Sequence, residues 1–458
     1  MTATTLTTDS DTNSDSLFSR QRAGASVGAV ALVSLLAFEA MAVAAAMPAI
    51  AAALDGIGLY ALAFGGMLAT SVLGMVLAGR SCDRHGAWRA TTAGLAVFFA
   101  GLLLAGFANG MGLLVTGRIV QGLGAGMLGV ALYVGMGQVV PPVLHPRLFA
   151  LMAAAWVLPG LVGPLLAATL VEHLGWRSVF LVVALAVPLT AALLLPAFGR
   201  LGRPNAAPGP RGDNRGPLAW AVLAAAGALM LHGAGTPQAA GWRWPLLAAG
   251  AVGAAWAARH LLPAGSLRAA PGLPAVIALR GLLASTFASA EVFIPLYLTR
   301  EAGWSLAQAG GVLSAAAVTW SAGSAVQARI TEPLQRQRAL QGGFALVAGG
   351  LLVVIAPSAL AAPPWLVVLG WPLVGFGIGL SFPMLSVLTL KLSAQGEQGR
   401  NASALQLSDA LCSSAVLALC GALFNAALER GPLAYAGVLS LSLLLALAGA
   451  WLGRRAFA

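Results

Sequence analysis

Residues 57–79 read IGLYALAFGGMLATSVLGMVLAG, residues 80–89 read RSCDRHGAWR, and residues 90–109 read ATTAGLAVFFAGLLLAGFAN. The outer stretches carry no charge, and each is long enough for one helix to cross a bilayer, which takes ~20 mostly apolar residues. The middle stretch gathers Arg80, Asp83, Arg84 and Arg89 around Gly86. Two spanning helices joined by a short basic turn are the direct reading, with Gly86 suited to a left-handed position in that turn.

The same pattern recurs along the chain. Apolar runs at 26–54, 57–79, 90–109, 111–139, 148–172 and 177–198 form a first set of six. A polar linker rich in Pro, Gly and Arg follows at 199–216, then two Ala-rich runs within 217–262 and a second linker at 263–270. Six further runs occupy 271–453: 271–299, 305–328, 341–357, 364–390, 401–428 and 432–453. The expectation is an all-α membrane protein of fourteen spans, two six-helix bundles with two helices between them. A twelve-span version would leave 217–262 outside the bilayer. Residues 1–25, rich in Thr, Ser and Asp up to residue 19, are expected to be a disordered tail, and 454–458 a short C-terminal one. The first run contains Glu39 and is too long for the apolar core of a signal peptide, so it reads as a span.

Composition agrees. Of 458 residues 59% are hydrophobic and 9% are charged, against about 25% charged in a soluble domain; mean hydropathy is +0.87. A soluble enzyme and a secreted disulfide scaffold are excluded, and three cysteines form no framework. The net charge of +11 suggests a nucleic-acid partner until the cations are placed. With both termini cytosolic, 19 of the 25 basic residues fall inside, four outside (Arg177, Arg243, Arg300, Arg430), and Arg118 and Arg280 within spans. That is the positive-inside bias; the charge is topological, and no nucleic acid is implied. A single lysine, Lys391, amid abundant Ala and Gly points to a GC-rich bacterial genome.

The turn Gly79-Arg-Ser-Cys-Asp83-Arg84-His-Gly86-Ala-Trp-Arg89 resembles the G-x-x-x-D-R-x-G-R-R loop of the major facilitator superfamily, with Ala87 and Trp88 where basic residues often stand. Gly117-Arg118-Ile-Val-Gln121-Gly122 resembles that superfamily's R-x-x-Q-G segment. Trp156-Val-Leu-Pro159-Gly160-Leu-Val-Gly163-Pro164 is similar to the G-x-x-x-G-P segment of drug/proton antiporters, with Pro159 replacing the first glycine. Trp176-Arg177 opens the sixth span as it often does there. The two extra spans match the fourteen-helix branch, in which such a pair lies beside the bundles. The likeness is strongest over 26–198 and implies a conformational-switch role for the loop. Its plainer readings are a positive-inside turn, a snorkelling arginine and ordinary small-residue helix packing.

Three acids lie within spans: Glu39, Glu291 and Asp409. In hydrocarbon a carboxyl group is either neutral or paired, and intramembrane acids mark ion pathways by default. Each is a candidate proton or substrate site; the structural alternative is a satisfied hydrogen bond. Arg118 and Gln121, with Arg280, are candidate partners inside the bilayer. Arg280 lies eleven positions before Glu291 on nearly one helical face, so the two are expected to line one cavity. Gln406 and Ser413 stand a turn either side of Asp409 and are expected to satisfy it. Phe38, Tyr60, Phe287, Tyr297, Trp320, Trp371 and Phe382 are candidate cavity walls.

The resemblance implies a transporter that alternates access by rocking two bundles. It would export amphipathic, including cationic, drugs or metabolites in exchange for protons, without a cofactor or an obligate protein partner. A proton-coupled importer of a small nutrient is the alternative, disfavoured by the scarcity of Asn and Gln in the spans. Five scattered histidines give no metal or enzymatic site, and no phosphate-binding loop is present.

Overall fold

The computed structural model describes residues 17–19, 22–201, 215–236, 239, 241–394 and 397–457. Most of the expected tail and most of the 199–216 linker, with Arg20, Arg203 and Arg211, lie outside the described residues. The first helices are α1 (Ala23–Ala53), α2 (Tyr60–His85), α3 (Ala87–Gly106), α4 (Met111–Val139), α5 (His145–Ala154), α6 (Val157–Leu174) and α7 (Ser178–Gly199). Then come α8 (Arg215–Ala234) and α9 (Arg243–Leu261). The last are α10 (Leu273–Arg300), α11 (Leu306–Ala328), α12 (Pro333–Leu360), α13 (Leu366–Leu392), α14 (Gln398–Ala426) and α15 (Pro432–Leu452). No strand occurs among the described residues. Hydrocarbon leaves a lone chain this choice, because a helix satisfies its backbone internally.

Thirteen helices are long and apolar enough to cross a membrane, α5 and α6 counting together as one. The fourteenth expected span, α9, is not among them; its ends carry Arg243, Arg259 and His260. Against the twelve-span version, α8 is itself one of the thirteen, and it packs along α2 and α14. The fifth apolar run is interrupted at Ala155 and Trp156, between α5 and α6. Pro159 supplies a reason: it lacks the N–H that would bond the carbonyl of Ala155, and a proline is tolerated only in a helix's first turn. The basic stretch 80–89 is mostly helical. Only Gly86, at φ +84° and ψ +167°, stands between α2 and α3.

The two sixes repeat one packing plan. α4 lies between α2 and α3, and α13 lies between α11 and α12. α1 packs on α6 and α7, and α10 on α14 and α15. Glycines permit the closeness: a side chain at Gly122 or Gly126 would run into the α2 backbone, and one at Gly375 or Gly379 into that of α11. The lobes meet through α6 against α11, α2 against α14, and α1 against α10. Large apolar side chains point outward, Leu185 at 79% and Leu444 at 62% exposure, on a surface that suits lipid.

The starts of α1 and α3 lie by the end of α7, and Gly272 at the start of α10 donates to the carbonyl of Arg455 at 2.8 Å. We call this end of the bundle, where α1 begins and α15 finishes, the terminal face. The lobes are stitched near the opposite, far face. Tyr60 Oη of α2 donates to Val292 O of α10 at 2.9 Å, and Asn425 Nδ2 of α14 donates to Gly58 O at 2.9 Å.

Candidate functional site

In the first lobe, Arg118 and Gln121 are three apart on α4 and so share a face. Both are buried, Arg118 at 2% and Gln121 at 0% exposure. That face meets Glu39 of α1, also at 0%. Arg118 Nη1 donates to Glu39 Oε1 and, at 3.4 Å, to Gln121 Oε1. Gln121 Nε2 donates to the same Glu39 oxygen at 3.2 Å. Arg118 Nε donates to the carbonyl of Ala63 on α2 at 3.2 Å. Arg118 thus ties α4 to α1 through Glu39 and to α2 through Ala63. The second oxygen, Glu39 Oε2, is buried and has no hydrogen-bond partner among the described residues. A lone buried acceptor costs ~1–3 kcal/mol, and a proton would turn it into a donor.

The second lobe has its own pair. Arg280 Nε of α10 donates to both carboxylate oxygens of Asp409 on α14 at 3.0 Å. Its Nη1 donates to Phe382 O at 3.1 Å and Ser386 Oγ at 2.9 Å, both on α13. The guanidinium carbon lies 3.2 Å from the centroid of the Phe382 ring, a cation–π arrangement. Asp409 is therefore held by Arg280; no bond from Gln406 or Ser413 reaches it among the described residues.

Glu291 stands on the same α10 face. Ala284, Phe287, Ala288 and Glu291 are all partly open, while their α10 neighbours on the other faces are mostly buried. Glu291 has neither a hydrogen bond nor an ion pair among the described residues, and neither of its oxygens is fully enclosed. Between it and Arg280 lies an aromatic wall. Phe287 stacks on Trp371 with centroids 5.1 Å apart and meets Trp320 edge-on at 5.2 Å; Trp320 meets Phe382 at 5.4 Å. Tyr60 belongs to the far-face contact with Phe293 instead.

The remaining sequence candidates are placed elsewhere. Asp83, Arg84 and Arg89 are exposed at the terminal face and form no ion pair among the described residues. Gly79 has open space beside it. Pro159, Gly160, Gly163 and Pro164 are buried on α6. A side chain at Gly160 would touch Ala317 of α11, at Gly163 it would touch Met41 of α1, and the Pro164 carbonyl faces Gly310. This stripe lies on the seam between the lobes. Two surface clefts, of about 810 Å³ beside Trp88 and Pro188 and about 470 Å³ beside Asp55 and Arg300, contain none of the buried charges. Sequence reading missed the supports Ala63 O, Phe382 O and Ser386. Of these only Ser386 had a signal, standing four residues after Phe382.

Two pseudo-symmetric lobes, each with one intramembrane ion pair and joined along a small-residue seam, define a two-lobed multi-pass membrane transporter. The chain belongs to the Major Facilitator Superfamily, whose family model matches residues 29–418. It is 27% identical over 418 residues to a protein of Mycobacterium tuberculosis named a probable multidrug-efflux transporter, covering 88% of each chain. It is 32% identical over 303 residues to a cephamycin export protein of Amycolatopsis lactamdurans, covering 60% of this chain and 59% of that one. Among solved structures, a POT-family transporter superposes with a TM-score of 0.70 at 14% identity, covering 94% and 97% of the two chains. A peptide transporter gives 0.66 at 17%, covering 93% and 95%. At these identities the superpositions speak for the fold alone.

Proposed function

We propose that this transporter exports amphipathic drugs or metabolites from the cytosol in exchange for protons, from a bacterial cell membrane with its terminal face inward. The observation that carries the proton coupling is the bare, buried Oε2 of Glu39 beside Arg118. Protonation there removes the negative charge that ties α1 to Arg118 on α4, and deprotonation restores it. A carboxyl that alternates between a neutral and a paired state is what coupling to a proton gradient needs. The drive is the gradient itself, with no cofactor and no obligate protein partner. The efflux direction is supported by the multidrug-efflux and cephamycin-export names of its relatives. The second lobe's wall of Phe287, Trp320 and Phe382 suits an apolar body, and its acids suit a polar end.

The mechanism follows from the two lobes. With the far face stitched by Tyr60 and Asn425, the open side of the transport cycle in this state is assigned to the terminal face. Cargo enters there, the lobes rock about the α6–α11 and α2–α14 seams, and a proton arriving from the far side resets Glu39. The same geometry run with cargo and proton in one direction is a symporter, so the direction of transport separates the two readings.

The test uses inside-out vesicles with an acid interior and a panel of fluorescent amphipathic dyes, comparing wild type with Glu39→Gln. Uptake that collapses with an uncoupler and is absent in the variant is expected. Uptake by Glu39→Gln at the wild-type rate with unchanged pH dependence would overturn the coupling role. Cargo movement along the proton gradient in the same direction would establish the importer.

A further inference from the structure

The second-lobe cluster is more specific than an apolar cavity, and its assignment to a transported cargo rests on the transport reading. Arg280 is anchored by contacts that do not involve an acid: the Phe382 ring, the Phe382 carbonyl and Ser386 Oγ, all on α13. Its anion, Asp409, comes from a different helix and is the more open partner, at 23% side-chain exposure against 10% for the arginine. The hydrogen bonds of Arg280 use Nε and Nη1. Nη2 donates to nothing among the described residues, and it is not sealed from open space. A guanidinium has five N–H donors in a planar fork and binds carboxylates two-pronged. Arg280 therefore has a held body and one spare nitrogen, Nη2, and a two-pronged grip on another carboxylate needs the Nε that Asp409 holds.

Glu291 is the complementary group. Glu39 and Asp409 both have arginines, while Glu291 has none among the described residues. It stands eleven residues further along α10, about 16 Å at 1.5 Å per residue. Phe287 lies on the same partly open stripe between them, backed by Trp320 and Trp371. A cation with a spare donor at one end, an unpaired acid at the other and an aromatic floor between describe the negative image of one ligand.

We propose that the cargo is an elongated zwitterionic amphiphile. Its carboxylate takes Nη2 of Arg280 and displaces Asp409 from Nε, its ammonium pairs with Glu291, and its apolar middle lies on Phe287 and Trp320. No bond is made or broken; one anion replaces another on a fixed cation.

The experiment measures binding to the full-length protein in lipid nanodiscs by isothermal titration calorimetry. The probes are ω-aminododecanoic acid, its methyl ester, its N-acetyl derivative and the shorter ω-aminohexanoic acid. The zwitterion is expected to bind about tenfold tighter than either masked form, each of which loses one charge-assisted contact. The short analogue, unable to span both charges, is expected to fall with them. Arg280→Gln should weaken the free acid about tenfold and leave the methyl ester unchanged. Asp409→Asn should tighten the free acid, because it removes the competing anion. Opposite signs for these two variants are a result that mere structural damage does not give, and Arg280→Lys, which keeps the charge, provides a second folded reference. Equal binding of the zwitterion and both masked forms overturns the proposal. So does weakening by Asp409→Asn equal to that by Arg280→Gln, or no binding of any probe. Zwitterion-selective binding in a protein without proton-driven uptake leaves the proposal standing and sinks the exchange reading. Proton-driven transport of a dye indifferent to Arg280 and Glu291, with no zwitterion preference, does the reverse.

Discussion

Glu39 and Arg118 stand 79 residues apart, on different helices, and meet through a single carboxylate oxygen. The geometry makes Arg118 the junction of α1, α2 and α4, with Glu39 as its counter-ion. Removing one partner of a buried pair leaves an uncompensated charge, which costs ~3–5 kcal/mol, whereas neutralising both partners is often nearly free. Arg118→Ala should therefore unfold well below wild type in detergent, followed by tryptophan fluorescence on heating. Glu39→Gln with Arg118→Gln together should recover most of the loss while transport stays absent. Additive losses would mean that the pair carries no shared energy.

The glycine seams of α4 give a contrast within one helix. A side chain at Gly122 would collide with the α2 carbonyl of Met67, and at Gly129 it would meet open space. Overpacking costs typically ~1–3 kcal/mol, and two rigid backbones give little ground. Gly122→Ala should reduce the monodisperse fraction on size-exclusion chromatography sharply, and Gly129→Ala should leave it at the wild-type level.

The turn at residues 80–89 holds a second such contrast. Gly86 has φ +84° with ψ near 167°, a region essentially reserved for glycine, where another residue costs ~1–3 kcal/mol. Gly79, one of the resembling loop's own positions, is helical and has nothing beside it. Gly86→Ala should lower thermal stability measurably, and Gly79→Ala should not. Equal effects would mean the glycines serve the lobe motion rather than the turn.

What the sequence disclosed and what it withheld divides by range. Apolar runs, the basic turn and the intramembrane positions of Glu39, Arg118, Arg280 and Asp409 are local facts, because a span announces itself in twenty consecutive residues. Which charges meet is not local. Arg280 pairs with Asp409 across 129 positions, and nothing along the chain distinguishes that partner from Glu291, which shares Arg280's own helix. Helical spacing places Gln406 and Ser413 beside Asp409 but carries no information about the helix that faces it. The break before α6 was legible in principle, since Pro159 removes a donor, but the continuous apolarity around it masked the signal. The tie of the extra hairpin to the core, Asn425 donating to Gly235 O at 2.8 Å as well as to Gly58 O, had no signal at all.

Asn425 of α14 bridges the first lobe at Gly58 and the end of the α8 segment at Gly235, and Tyr60 joins α2 to α10 near the same face. Each net hydrogen bond is worth ~0.5–1.5 kcal/mol. Opening the far face must break the Asn425–Gly58 and Tyr60–Val292 bonds, so they weight the equilibrium toward the state with that face closed. Asn425→Ala combined with Tyr60→Phe removes both, along with the tie to Gly235. The far-face-open population should then rise by roughly ten-fold or more, since each 1.4 kcal/mol is a factor of ten. Spin labels at Asp55 and Arg430, both on far-face turns, read the change as a new long-distance component in electron–electron resonance. A distance distribution identical to wild type would mean that the seam of α6 and α11, and not these bonds, holds the face shut.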